Sequence, residues 1–266
     1  MSPLMQSSNE LLLRSDENGV ATLTLNRAGQ FNSLSDGLID ELQAALDAIA
    51  RDPSVRVVVI AGAGKAFCAG HDLKEMRAHP DKAYQQALFR KCGRMMMKLV
   101  ELPQPVIARV HGMAVAAGCQ LVAMCDLAVA ASEVKFAVSG VNLGLFCTTP
   151  SVPLSRNLPR KQAFEMLVTG DFMDATTAHA RGLVNRVVSA GELDAEIRKL
   201  TDSICSKSPK AVAMGKQAFY KQIEMGLEGA YQLAAETMAC NMMAEDAQEG
   251  IDAFIAKQPM PQWKGK

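Results

Sequence analysis

The chain carries no excess of charge of either sign. Its 28 lysines and arginines stand against 28 aspartates and glutamates, so no global field draws it to nucleic acid or to an acidic membrane. The seven cysteines are odd in number and sit in apolar stretches such as Gly118-Cys119 and Met124-Cys125-Asp126. That argues against a secreted disulfide framework and for a reducing compartment, and none of their spacings reads as a zinc site. A basic, acid-free presequence is missing too: the first basic residue is Arg14, and Glu10 precedes it. The longest apolar stretch, Val106 to Ala131, is interrupted by Arg109, His111, Gln120 and Asp126. It reads as a buried strand–loop–helix–strand and not as a bilayer span. These absences predict a cytoplasmic protein with no nucleic-acid and no membrane partner.

Several catalytic and cofactor motifs are also missing. Gly62-Ala63-Gly64-Lys65 is no phosphate-binding loop, because Val59 stands where a glycine is needed and Ala66 where Ser or Thr would follow the lysine. No glycine-rich run opens the first strand–helix unit as a dinucleotide fingerprint would. Ala137-Val138-Ser139-Gly140-Val141 lacks the first glycine of a nucleophile elbow. The four histidines (His71, His79, His111 and His179) show neither metal-ligand spacing nor a triad that sequence can certify, and each alone reads as a surface or packing residue. No metal is expected.

What is present is an α/β pattern. At 266 residues with 49% hydrophobic and 21% charged residues, the chain suits one large domain or a core with a smaller appendage. Val20 to Leu25 is strand-like. Ser35 is placed to cap a helix whose Leu38, Leu42, Ala45, Leu46 and Ile49 share one face. Val55 to Ala61 is an almost continuous β-branched run, as in a strand covered on both faces. Pro105 to Val110, Ala117 to Met124 and Leu127 to Ala131 repeat the order strand, helix, strand, with shorter strands near Val134 to Ala137 and Leu183 to Val188. A largely parallel sheet follows from that alternation. After Ser208-Pro209 the pattern is helical only: Lys210 to Gly226, Leu227 to Ala244 and Asp246 to Lys257, rich in methionine. The expected division is a core of residues 1–207 and a helical region of 208–266 whose apolar surface suits oligomerisation.

Two segments carry the chemistry. Lys65-Ala66-Phe67-Cys68-Ala69-Gly70-His71-Asp72-Leu73-Lys74-Glu75-Met76 and Val110-His111-Gly112-Met113-Ala114-Val115-Ala116-Ala117-Gly118-Cys119-Gln120-Leu121 each pass from an apolar strand through small residues into a helix. Such turns free backbone N–H groups and admit a ligand close to them. Two donors aimed at one point would make an oxyanion site.

These segments resemble the "K-A-F-x-A-G-x-D-[IL]-K-E-M" and "V-x-G-x-A-x-G-G-G-x-E-L-x-x-x-C-D" blocks of the enoyl-CoA hydratase/isomerase (crotonase) superfamily. Asn26-Arg27-Ala28 with Asn32-Ser33-Leu34, Phe164 to Gly170, Ala180 to Val184 and Glu249 to Phe254 are similar to further blocks of that superfamily, in the same order. Val138 to Pro150 resembles its domain-containing-protein-3 branch. The resemblance implies a spiral of ββα units with a C-terminal helical trimerisation region, as a trimer or a dimer of trimers. It implies an acyl-CoA ligand, with coenzyme A present as part of the substrate and no tightly bound cofactor. Carried over by position, the backbone N–H groups of His71 and Ala117 would be the oxyanion donors. Arg27, Ala28, Ala69, Asp72, Leu73 and Lys74 would meet the CoA segment, joined by Phe254 and Lys257, the last two from the same or a neighbouring subunit.

The pattern breaks at the two hydratase glutamates, which fall on Gln120 and Gly140. Losing a positioned acid–base group costs on the order of 10²–10⁴ in rate, so efficient enoyl-CoA hydration is not expected. Gly140 would leave room for a bound anion acting as base, and Cys147 or Thr148 would supply polar groups, Cys147 only with a lowered pKa. Isomerisation, thioester hydrolysis, decarboxylation and slow hydration stay open beside a non-catalytic acyl-CoA-binding or assembly role. RNA binding is opposed by the neutral charge balance.

Overall fold

The computed structural model describes residues 10–266. Three successive passes of chain each lay one strand in a large sheet and one in a small sheet before entering a helix. The first is β3 (Val57–Gly62), β4 (Ala66–Cys68) and α2 (Leu73–Ala78), followed by the long α3 (Lys82–Glu101). The second is β5 (Val106–Val110), β6 (Met113–Val115) and α4 (Ala117–Met124). The third is β7 (Leu127–Ala131), β8 (Lys135–Ala137) and α5 (Thr148–Asn157). Preceding them are β1 (Leu12–Glu17), β2 (Val20–Leu25) and α1 (Asp36–Ile49). After them come α6 (Arg160–Thr169), β9 (Met173–Asp174), α7 (Ala175–Ala180), β10 (Arg186–Val188), α8 (Leu193–Cys205), α9 (Pro209–Gln222), α10 (Leu227–Met242) and α11 (Glu245–Ile255).

The large sheet has the order β1-β2-β3-β5-β7-β10 and the small one β4-β6-β8-β9. All neighbours run parallel except β1 with β2 and β8 with β9. This is an α/β spiral of ββα units of the crotonase type. Val57 to Ala61 is buried throughout, as a parallel strand covered on both faces must be. Ser35 Oγ accepts from the Leu38 N–H at 3.2 Å, and α1 buries Leu38, Ile39, Leu42, Leu46 and Ile49. Sequence reading did not single out α3. Its buried Leu88, Cys92, Met95, Met96 and Leu99 keep helical spacing, but the polar residues between them lower the apparent apolar signal.

Close backbone packing places the two segments side by side. A side chain at Gly118 would fall on the Cys68 carbonyl oxygen, and one at Gly112 on that of Lys65. Only glycine lets α4 and the β5–β6 turn lie this close to β4. Asn32, fully buried, joins the turn after β2 to the same region. Its Nδ2 donates to the Ala63 and Ala66 carbonyls, both at 2.8 Å, and its Oδ1 accepts from the Arg27 N–H at 2.9 Å. The turn itself is bridged to the first segment in parallel fashion, Leu34 to His71.

The helical stretch predicted after Ser208 appears as α9 to α11, each ending within about four residues of its expected limit. Lys216 of α9 ties it to the core. Its Nζ donates to the Leu99 and Gln104 carbonyls and pairs with Asp126 at 2.7 Å, while Tyr220 donates to the other Asp126 oxygen at 2.8 Å.

Candidate functional site

The two small-residue turns meet at one end of an apolar cavity of about 370 Å³. Its inner end is built from Ala69, His71, Val115, Ala116 and Ala117. Leu73, Met76, Phe89, Leu143, Leu145 and Phe146 form the apolar walls, and Ser139, Gly140, Cys147, Thr148 and Thr149 lie on the third side. Phe89 was not singled out in the sequence, and Met76 appeared there only as the end of the first segment; for Phe89 the helical spacing along α3 was the available signal.

The backbone at the inner end is unusual. Gly70 has φ +98° and Ala116, just before α4, has φ +50° and ψ −117°. A Cβ at Gly70 would lie 2.9 Å from the Ala116 methyl and 3.3 Å from the Ala117 nitrogen. The amide next along the chain, that of His71, is therefore close to that of Ala117. Among the described residues neither N–H donates to a protein acceptor, whereas the flanking amides do: Asp72 to Leu34 at 3.0 Å and Ala116 to Ala137 at 2.8 Å. Two amides left free beside an apolar cavity await an acceptor.

The first turn is stiffened by charge. Arg27 pairs with Asp72 at 2.9 Å and donates to the Ser33 carbonyl at 2.6 Å. Asp72 also caps α2, accepting from the N–H groups of Lys74 and Glu75. Burial alone would raise the Asp72 carboxyl, but Arg27 and these N–H groups outweigh it and hold it below the usual carboxylate range. Ala28 packs against Gly64. Leu73 reaches the cavity, while Lys74 does not line it.

The His71 ring lies edge-on to Phe89, with centroids 5.3 Å apart. Burial pushes its pKa down to about 4, and its Nε2 is enclosed without a partner. Gln120 is buried with Oε1 unpartnered and is not part of the lining. At Gly140 the expectation of room for an anion does not hold. The Leu145 carbonyl oxygen and the Cys147 sulfur, the latter 2.7 Å from where a Cβ would stand, already fill that space. Nor is the Cys147 thiol lowered: burial pushes it up, against a smaller opposing effect of the Gly140 N–H that faces the sulfur. Phe254 and Lys257 lie exposed at the end of α11, away from the cavity lining. Among the described residues no group of three or more His, Cys, Asp and Glu is arranged to hold a metal ion, and no helix is long and apolar enough to cross a membrane.

A sequence model of the enoyl-CoA hydratase/isomerase family matches residues 15–266. The chain belongs to that family. Within the family it groups with the domain-containing-protein-3 branch. It is 44% identical over 253 residues to the Xenopus laevis protein named enoyl-CoA hydratase domain-containing protein 3, mitochondrial, covering 95% of this chain and 86% of that one. The human protein of the same name is 42% identical over 245 residues, 92% of this chain and 80% of the relative. Among solved structures, that of an enoyl-CoA hydratase from Mycobacterium smegmatis superposes with a TM-score of 0.94 at 57% identity, covering 96% of this chain and 99% of that one.

These relatives of the enoyl-CoA hydratase/isomerase family correct the cytoplasmic expectation, since the Xenopus laevis, Mus musculus and Homo sapiens proteins are all named mitochondrial. The seven thiols pointed to a reducing compartment, which does not distinguish the cytosol from another reducing space. The presequence reading, for its part, concerned a terminus whose residues 1–9 lie outside the described residues.

Proposed function

We propose that the cavity binds the acyl group of a coenzyme A thioester, with the thioester carbonyl oxygen accepting from the His71 and Ala117 N–H groups. The observation that carries this reading is the pair of free amides, held side by side by Gly70 and Gly118 at the end of an apolar cavity. Removing or adding a proton next to a thioester places negative charge on that oxygen. A preset donor in a site of this kind is worth roughly 3–4 kcal/mol to the transition state. Arg27, Ala28, Ala69, Asp72, Leu73 and Lys74 flank the route by which the CoA portion leaves. Phe254 and Lys257 would serve a site completed by a neighbouring copy, in a trimer or dimer of trimers. That role is supported by the exposed Leu227, Tyr231, Met238, Met243, Phe254 and Ile255 on and beside α10 and α11.

The reaction is one that forms an enolate without a carboxylate to position water. No carboxylic acid lines the cavity among the described residues, Gln120 is outside the lining, and the side-chain space at Gly140 is taken. Hydration of crotonyl-CoA is therefore expected to be slow, as is thioester hydrolysis, which also needs an activated water, and isomerisation or decarboxylation takes precedence. The same missing acids favour one second reading, a non-catalytic acyl-CoA-binding or assembly protein. Incubating the purified protein with crotonyl-CoA and a panel of saturated, 3-enoyl and carboxylated acyl-CoAs separates the two. Binding without turnover of any member supports the second reading, and turnover abolished by Gly70→Ala supports the first.

A further inference from the structure

The cavity lining contains only two ionisable side chains among the described residues, His71 and Cys147. The sulfur of Cys147 stands 2.7 Å from where the Cβ of residue 140 would be, so the thiol occupies the start of the volume that a longer side chain there would use. The strand-to-helix connection holds it in place. The Leu145 N–H donates to the Gly140 carbonyl at 2.9 Å, and the Ser151 N–H to the Cys147 carbonyl at 3.0 Å. Cys147 is the N-cap residue of the ten-residue α5, with no cap hydrogen bond to its side chain, and the Gly140 N–H faces its sulfur. The same cavity holds the two free amides, which independently mark it as a ligand site.

We propose that Cys147 is the group that carries a proton to and from the α carbon of the bound acyl thioester. This rests on the enolate reading above. In the protonating direction the S–H bond breaks and a Cα–H bond forms, the enolate electron pair makes that bond, and the thioester carbonyl is restored. The electron pair left on sulfur is a thiolate. In reverse, the thiolate takes the α proton and the charge passes to the oxygen facing His71 and Ala117. Burial favours the thiol, so an enolate is protonated directly, whereas removal of the α proton draws on the minor thiolate form and quickens as pH rises. His71 is poorly suited to the task, because its Nε2 is enclosed and its imidazole has been made a weak base. The hydroxyls of Ser139, Thr148 and Thr149 are far weaker acids than a thiol, and that of Thr148 donates to the Phe146 carbonyl.

Hydrogen exchange at the α carbon tests this without knowledge of the net reaction. The full-length protein is incubated with butanoyl-CoA in D2O, and deuterium in the acyl group is followed by mass spectrometry. Butanoyl-CoA affinity is measured in parallel by calorimetry, for wild type, Cys147→Ala and Cys147→Ser. The expected result is incorporation by wild type, a loss of roughly 10²-fold or more in both variants, and affinity kept in both. Cys147→Ser preserves size and polarity, so its failure to exchange separates proton transfer from packing. Exchange that persists in Cys147→Ala overturns the role of Cys147 and leaves the enolate reading standing. Binding without exchange in wild type overturns the enolate reading and this proposal with it. Loss of affinity together with exchange in both variants assigns the cysteine to structure alone.

Discussion

Two parts of the same cavity are built in opposite ways. The inner end, where the two small-residue turns meet, is determined by backbone: Gly70, Ala116 and Gly118 fix two amides. The opposite side, residues 139–150, is determined by side chains and a folded-back loop, with the Leu145 carbonyl and the Cys147 sulfur against Gly140. The first part is suited to holding charge on a carbonyl oxygen, which any chemistry through an enolate requires. The second part chooses what is done with that enolate. A backbone-built element tolerates almost no substitution, whereas a side-chain-built one can be exchanged while the fold survives.

The largest effect is expected at the inner end. Gly118→Ala places a methyl on the Cys68 carbonyl oxygen, and neither α4 nor β4 can yield without moving the sheet. We expect a loss of roughly 3 kcal/mol or more in urea unfolding, or no soluble protein. A cost below 1 kcal/mol would show that the two segments are not locked together.

Gly70→Ala comes next and acts on function more than on fold. Its methyl meets the Ala116 side chain and shadows the Ala117 nitrogen, at a φ of +98° that an L residue rarely adopts. Turnover of the best acyl-CoA, or α-carbon exchange, should fall by about 10²–10³ with cooperative unfolding retained. An unchanged rate would remove the Ala117 amide from the chemistry.

On the opposite side a double-mutant cycle measures the fit of the loop. Gly140→Ala is expected to cost roughly 1–3 kcal/mol, and part of that cost should vanish when Cys147→Ala is made as well. The relief is partial because the Leu145 carbonyl still faces the new methyl. A coupling of about 0.5 kcal/mol or more, read from denaturant midpoints, would confirm that residues 140 and 147 share one volume. Additive effects would break that picture.

Much of this construction was legible beforehand. The β-branched run at Val57 to Ile60, the Ser35 cap and the limits of α4 follow from local rules that burial reinforces. The glycines at 70 and 118 announced close approach, though not to what. Of the small sheet only β8 was expected, near Val134 to Ala137, because β4 and β6 have three residues each and make no periodic signal. The fate of Gly140 was not legible. A missing side chain reads as open space until the loop that returns to fill it, Gly144 to Cys147, can be placed. Gln120 shows the same limit from the other side: its position on α4 was readable, but not that it would be buried outside the cavity lining.

The smallest predicted effect separates the two turns of the inner end from each other. The first is held by charge, through Arg27 and Asp72 at 2.9 Å; the second, from Val115 to Gly118, contains no ionisable group at all. Because the Asp72 carboxyl is held below its usual range, its contribution to stability is present above the ordinary carboxylate pKa and is lost as pH falls through the lowered value. Asp72→Asn keeps an oxygen to cap α2 but removes the charge. It should cost about 1 kcal/mol near pH 7, and the gap to wild type should close as unfolding is repeated at successively lower pH below about 4. A gap that stays constant down to acid pH would mean that Arg27 holds the turn through the Ser33 carbonyl alone, and that the two turns are maintained by the same backbone geometry after all.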